Sequence, residues 1–327
     1  MQTDATHTTS LDTLETKCSI PHTYYEARHT DVQEREAALS AISQIDCPDP
    51  KRIQRFTECG SKTWILRHKE RDEYRLAGNF CRDRFCPACQ KDYRRRIRRT
   101  LDAQLLRLLT RHTTKPLSLL TVTIRSSKAP LRKQISFLKR AWTKLRRRSF
   151  FANACDGGIS ALEITYNPAT DEWHPHLHMV LISTYIPQKT LSRVWKSITK
   201  TSMIIDIRRI NDHRQAIRYI TKYISKPITL TDLPQHRRIE AVMHLKGVQL
   251  YSKWGLMRNV KIPDIHEDDY DPRDWEIVDT VDNVLSKARA GDERSIAILR
   301  SIHLLRVDPT VERSIATHHL YDDTQFH

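Results

Sequence analysis

Residues 172–182 read EWHPHLHMVLI, and this stretch decides the fold. In an extended strand alternate side chains share a face, so His176 and His178 point one way while Leu177, Met179 and Leu181 point the other. The segment is therefore predicted as a core strand carrying two neighbouring imidazoles on one face. Just upstream, ISALEITY (159–166) reads as a second strand. The Asn, Pro and Asp residues between the two suit a turn, which predicts a hairpin.

Working outward, LSLLTVTI (117–124) is short, apolar and rich in β-branched residues, as a core strand is. Helical spacing follows in Leu131, Ile135, Leu138, Trp142 and Leu145, and precedes it in Ile97, Leu101, Leu105 and Leu108 of KDYRRRIRRTLDAQLLRLLTRH. A helix over about 188–200, a strand around MIIDIRRI and a helix from near Asn211 complete the pattern. The expected class is α+β, a central antiparallel sheet flanked by helices. Four linear segments are expected: a flexible acidic lead-in (1–50) with one short helix in DVQEREAALSAISQI, a cysteine-rich segment running into the basic helix (51–112), the main domain (113–263), and an acidic helical tail (264–327).

The 327 residues carry a formal net charge of +16, unevenly spread. Residues 1–50 hold 3 Lys/Arg against 9 Asp/Glu, and residues 264–327 hold 7 against 15. The middle, 51–263, holds 45 against 15, a net +30. Charge that concentrated calls for a polyanion, and nucleic acid is the expected partner; a passive solvated surface is the bland alternative. No signal peptide is visible and no apolar run approaches the ~20 residues needed to span a bilayer, so a cytoplasmic protein with no membrane partner is expected. Seven cysteines, an odd number, argue against a full disulfide framework.

Two imidazoles side by side on a stiff strand form a clip for a divalent metal. Glu163 lies where a hairpin partner could add a carboxylate oxygen, a mixture that suits Mg²⁺ or Mn²⁺. It could equally face solvent, depending on register. In AIRYITKYISK (216–226) Tyr219 and Tyr223 are i and i+4 on a helix, with Lys222 and Lys226 on an adjoining stripe and Ile217, Ile220 and Ile224 opposite. A tyrosine is a poor nucleophile at neutral pH. Beside a metal-polarised phosphodiester and lysines that stabilise negative charge, it becomes a plausible attacking group; alternatively the tyrosines simply cover an interface.

Cys81-x4-Cys86-x2-Cys89, with Cys59 upstream, could supply four thiolates for a structural Zn²⁺. His68 could replace one of them, and buried unliganded cysteines are the other reading. Arg82, Arg84, Arg94, Arg95, Arg96, Arg98 and Arg99 nearby suit phosphate contacts.

The ordered set LLTVTI, HPHLHMVL and YITKYISK resembles motifs one to three of the HUH endonuclease superfamily, most closely the rolling-circle replication initiators of small plasmids and single-stranded DNA phages. NFCRDRFCPACQKDYRRR is similar to the cysteine-arginine segment ahead of the catalytic domain in plasmid initiators of the Gram-positive type. The resemblance covers about residues 59–260. It implies the HUH fold, catalytic metal on His176 and His178 with Glu163 as candidate third ligand, and Tyr223 as the active-site tyrosine. It also implies nicking of origin DNA, as single strand or extruded hairpin with flanking duplex, to give a 5′-phosphotyrosine link and a 3′-hydroxyl that primes a host DNA polymerase, followed by rejoining. Many plasmid initiators have a glutamate four residues before the tyrosine, where this chain has Tyr219; the pair resembles the phage type and leaves termination open. A two-tyrosine HUH transposase and a non-catalytic DNA-binding regulator are the rival readings. The acidic tail either recruits a host helicase or restrains indiscriminate DNA binding.

Overall fold

The computed structural model describes residues 21–112, 115–210, 212–224, 228–262, 271–302 and 304. In chain order its elements are α1 (Tyr24–Arg28), α2 (Val32–Ser43), α3 (Pro50–Thr57), β1 (Thr63–His68), β2 (Tyr74–Gly78), α4 (Pro87–His112), β3 (Leu117–Thr123), α5 (Leu131–Arg146), α6 (Ser149–Ala154) and β4 (Cys155–Asn167). They continue with β5 (Glu172–Ser183), α7 (Gln188–Thr199), β6 (Ile205–Ile210), α8 (His213–Ile224), α9 (Gln235–His244), β7 (Tyr251–Gly255), β8 (Trp275–Thr280), α10 (Val281–Arg289) and α11 (Glu293–Ser301). Two compact units result: a larger one of residues 29–59 and 79–269, and a smaller one of 1–28, 60–78 and 270–327.

In the larger unit five antiparallel strands run in the order β6-β3-β5-β4-β7, with the histidine strand β5 in the middle. Alternation splits its side chains between two cores. Leu177, Met179 and Leu181 join Leu120, Val122, Leu162 and the apolar stripes of α5 and α7. Val180 and Ile182 join Ile159, Ala161, Ile97 and Leu101 of α4 and Ile217, Ile220 and Ile224 of α8. At about 2 kcal/mol for each large apolar side chain buried, both faces resist a register slip, since one step would exchange them. His176 and His178 thus lie on the face covered by α8.

Edge strand β7, for which the sequence offers little periodicity, approaches β4 closely. A Cβ on Gly157 would stand 2.6 Å from the Leu256 backbone nitrogen, and one on Gly158 would stand 2.6 Å from the Trp254 ring, so both positions need glycine.

Residues 21–50 of the expected flexible lead-in carry helices α1 and α2 and the start of α3. Asp31 caps α2 by accepting from the Glu34 N–H at 3.2 Å, and Ala38, Ala41 and Ile42 are fully buried. Glu34 in turn accepts from the Leu230 and Thr231 N–H groups at 2.6 and 2.9 Å. Small alanines make a weak hydrophobic stripe, yet they let α2 pack closely on α9.

The stretch from Cys59 to Cys89 contains the β1–β2 hairpin. In the smaller unit β1 also pairs with β8, giving the sheet β2-β1-β8, so the acidic tail contributes a strand as well as helices α10 and α11. Thr280 caps α10 and Asp292 caps α11. The tail beyond residue 304 lies outside the described residues. None of the described helices is long and apolar enough to cross a membrane.

Candidate active site

Register brings the first five groups together. On β5, His176 pairs with Glu163 of β4 and Thr123 of β3, while His178 pairs with Ala161 and Thr121. Paired residues share a face, so Glu163, both histidines and both threonines look toward α8. The Glu163 carboxylate meets the His178 ring, Oε2 to Nε2 2.6 Å, and both side chains are about nine-tenths buried. His176 lies one step along, its ring centroid 5.9 Å from that of His178 and its Nε2 3.0 Å from the Thr165 hydroxyl. His174 follows, 4.4 Å centroid to centroid from His176, and burial holds its pKa below the ordinary histidine value.

Helix α8 supplies the tyrosines. Its isoleucines dock in the core, which turns Tyr219 and Tyr223 toward the imidazoles. The Tyr219 hydroxyl stands 2.9 Å from His178 Nδ1 and 3.1 Å from Thr121 Oγ1; Thr121 Oγ1 is itself 3.1 Å from the same Nδ1. Burial first, with repulsion from nearby acidic groups, raises the Tyr219 phenol above its ordinary pKa despite the Thr121 hydrogen bond. Tyr223 stacks flat on His178, centroids 3.6 Å apart, and lies 4.9 Å from Tyr219. Lys222 places its ammonium 5.3 Å from the Tyr223 ring centre. Lys226 lies outside the described residues.

Two imidazoles and a carboxylate on one sheet face match the donor chemistry of a hard divalent cation. Glu163 and His178 touch, while His176 is offset toward Thr165. Among the described residues, Cys59, Cys81, Cys86 and Cys89 are the one group of three or more ligand-type side chains whose donor atoms all lie within 4.8 Å of one another.

These four cysteines come from the end of α3, the loop after β2 and the first turn of α4. Their sulfurs are 3.5 Å (Cys59 to Cys89), 3.7 Å (Cys81 to Cys89) and 3.9 Å (Cys86 to Cys59) apart. Backbone N–H groups of Cys81, Arg82 and Asp83 point at the sulfurs of Cys59, Cys89 and Cys81 at 3.4, 3.3 and 3.5 Å. Hydrogen bonding from Cys59 first, then the other two cysteines and burial, drives the Cys81 thiol far above its ordinary pKa. Four crowded thiols cannot ionise together without a cation, and amides aimed at sulfur suit thiolates, so the cluster could hold a metal ion. His68 is not needed: it packs edge-on against Trp275, ring centroids 5.1 Å apart.

The arginines divide. Arg95, Arg98 and Arg99 are exposed on α4, and Arg98 has Asp102 at 3.9 Å. Arg96 lies over the Tyr93 ring, and burial lowers the Arg94 pKa. Arg82 adopts a left-handed backbone (φ 54°) inside the cysteine loop. Arg84 has a structural job, donating to the Leu245 and Val248 carbonyls at 2.7 and 3.2 Å.

Sequence reading passed over Thr121 and Thr165, whose signal was their phase in the strands. It also passed over a clamp on the β4–β5 turn. Arg237 of α9 grips Asp171 through Nε and Nη2 at 2.8 and 2.9 Å and donates to Glu240 at 2.5 Å, and Glu240 accepts from Trp173 Nε1 at 2.9 Å. Arg237 first, then Tyr166, holds the Asp171 carboxyl far below the usual range. The clamp steadies the strand three residues before His176.

A family model described as "Replication protein" matches residues 74–301. The chain belongs to that replication protein family. "Protein rep" of Streptococcus pneumoniae serotype 2 is 25% identical over 197 residues, covering 54% of this chain and 61% of that protein. "Protein rep" of Bacillus amyloliquefaciens is 30% identical over 172 residues, covering 49% and 50%, and that of Staphylococcus aureus is 25% identical over 186 residues, covering 52% and 80%. This replication protein therefore spans only 61% and 50% of the length of the first two of these relatives. No solved structure matches it.

Proposed function

We propose that this replication protein initiates rolling-circle replication of a plasmid by nicking one strand of origin DNA with a tyrosine of an HUH-type site. The observation that carries the reading is that one imidazole, His178, touches a carboxylate, Glu163, and two tyrosines at once. A pure DNA binder needs basic side chains but no such assembly. His176, His178 and Glu163 would hold Mg²⁺ or Mn²⁺, which when bound withdraws charge from a scissile phosphate.

The chain's own groups do the rest. Stacking on His178 fixes the Tyr223 ring, and Lys222 sets a positive charge beside it, where negative charge develops as the phosphoryl group is transferred. The Tyr223 oxygen attacks phosphorus while the bond to the 3′ oxygen breaks; the phenol proton leaves and the departing oxygen takes one up, giving a 3′-hydroxyl. One phosphodiester replaces another, so the 5′-phosphotyrosine link retains what is needed for rejoining. Tyr219, anchored by His178 and Thr121, is held ready for a second transfer. The 3′-hydroxyl would prime a host polymerase. The cysteine cluster would hold Zn²⁺ and fix the loop from Cys81 to Cys89.

The test is to incubate the protein with Mg²⁺ or Mn²⁺ and single-stranded DNA tiled from its own replicon, then seek a covalent adduct on a denaturing gel. A metal-dependent adduct lost in His176→Ala/His178→Ala and mapping to Tyr223 or Tyr219 is the expected result. Tight binding without adduct under either metal would return the protein to the class of DNA-binding regulators.

A further inference from the structure

A cleft of about 600 Å³ opens off the active-site face within the larger unit. Glu163 and Ile164 of β4 form one end, and the cysteine loop and α3 form the other, so the wall that the four thiols shape faces the same space as the candidate catalytic carboxylate. Its volume lies in the range of sites that enclose a small ligand, roughly 300–1,000 Å³.

One lining side chain has no account in the fold. Gln90, in the first turn of α4, is 93% buried (7% exposed) and lines the cleft, and among the described residues its amide makes no hydrogen bond. Its amide atoms are not sealed from solvent but open on the cleft, where a ligand with a matching donor and acceptor can take the place of water. Around it stand the chemistries that single-stranded nucleic acid uses. Tyr93, with Arg96 over its ring, and Tyr251, both half-buried, put aromatic rings on the cleft wall, and Arg55 and Lys246 are exposed cations beside them. Carboxylates are present too, but Asp83 is spent on Arg52 at 2.7 Å and Asp49 on the Lys51 N–H at 3.0 Å. Tyr251 pairs in register with Ala161, which pairs with His178, so the stacking ring and the imidazole sit in one row across the sheet.

We propose that this cleft takes one unpaired nucleobase of the DNA strand being cut, read on its edge by the amide of Gln90. The proposal rests on the reading of the neighbouring face as a nicking site, and it makes the cysteine loop a wall of the strand-reading site. A side-chain amide paired to a base edge discriminates against the wrong base by about tenfold or more.

The test is a binding selection with the full chain and a randomised single-stranded DNA library, run on the unmodified protein and on Gln90→Leu, with melting midpoints compared to check folding. The unmodified protein should favour one base at one position by about tenfold, and Gln90→Leu should flatten that position to within about twofold while leaving the others unchanged. An unchanged preference in a folded Gln90→Leu would overturn the proposal, as would a library that yields no positional preference. Should the variant fail to fold, 5-iodouracil-substituted single strands photocrosslinked to the unmodified protein decide the matter: attachment at Tyr93 or Tyr251 supports the cleft, and attachment confined to other regions removes it. The two readings fail separately. Lost preference in Gln90→Leu with no covalent adduct anywhere sinks nicking and keeps the base site; adduct formation with preference untouched does the reverse.

Discussion

The imidazole of His178 lies flat against the phenol of Tyr223, centroids 3.6 Å apart and planes within 10° of parallel, while the same imidazole receives the Tyr219 hydroxyl at its edge, 2.9 Å from Nδ1. One ring therefore distinguishes two tyrosines that helical spacing alone leaves equivalent. Tyr219 is anchored through its hydroxyl and its phenol is raised by burial; Tyr223 is held by its face and has Lys222 beside it.

The division of labour predicts unequal variants. Tyr223→Phe should lower first-round adduct formation on the order of 10³-fold, the scale of losing a nucleophile. Tyr219→Phe should stay within about tenfold in a single round, since it loses only the positioning contacts of its hydroxyl with His178 and Thr121. Single-turnover gels with labelled single-stranded origin DNA measure both, and equal losses would refute the assignment.

Thr121 is predicted to act through Tyr219 alone. Its hydroxyl bridges Tyr219 and His178 at 3.1 Å to each, so Thr121→Val removes an anchor without changing shape. In a Tyr223→Phe background it should cut the remaining adduct about tenfold, and in a Tyr219→Phe background by no more than about twofold. A similar loss in both backgrounds would mean that Thr121 serves His178 instead.

Much of this site is legible in sequence because two periods coincide with two cores. His176 and His178 alternate with Leu177 and Met179, and Ile217, Ile220 and Ile224 repeat at helical spacing, so the faces that must be buried dictate the faces that carry chemistry. What stays hidden depends on partners far away in the chain. Glu163 could be placed on the hairpin, but its contact with His178 needed the register; β1 gives no sign of β8, since Arg67 and Glu276 meet across the sheet from opposite ends of the sequence. Helix α2 buries alanines, whose weak stripe hides the packing it makes. Arg84 reads as a phosphate contact and is instead tied to two carbonyls, a use that no local pattern encodes.

The cysteine cluster is predicted to contain one zinc per chain and to be needed for folding of the larger unit. Cys86 is fully buried with its sulfur 3.9 Å from Cys59, so Cys86→Ser breaks the ligand set from inside. Loss of a structural metal is among the large effects, about 4 kcal/mol, which for a unit of this size is on the order of 10 °C in melting temperature. Elemental analysis together with thermal melts, before and after a strong chelator, checks this; a metal-free protein with an unchanged melt would make the four thiols an unliganded core cluster.

Glu240 is predicted to govern acid stability. Burial by itself would raise its carboxyl, but hydrogen bonds from the Leu131 N–H, Trp173 Nε1 and Arg237 win and hold it below the ordinary value. A carboxyl depressed in the folded state stabilises above its unfolded pKa, near 4.5, and that stabilisation fades as pH falls through the lower folded value. Glu240→Gln keeps the shape and removes the charge, so at pH 7 it should cost about 2 kcal/mol, the scale of charge-assisted hydrogen bonds. As pH falls through the folded value, below the ordinary 4.5, the wild-type carboxyl takes up its proton, and the two melting curves should draw together there. A gap that stayed constant from pH 7 to pH 3 would show that Glu240 acts by packing, and that the clamp on the β4–β5 turn owes nothing to its charge.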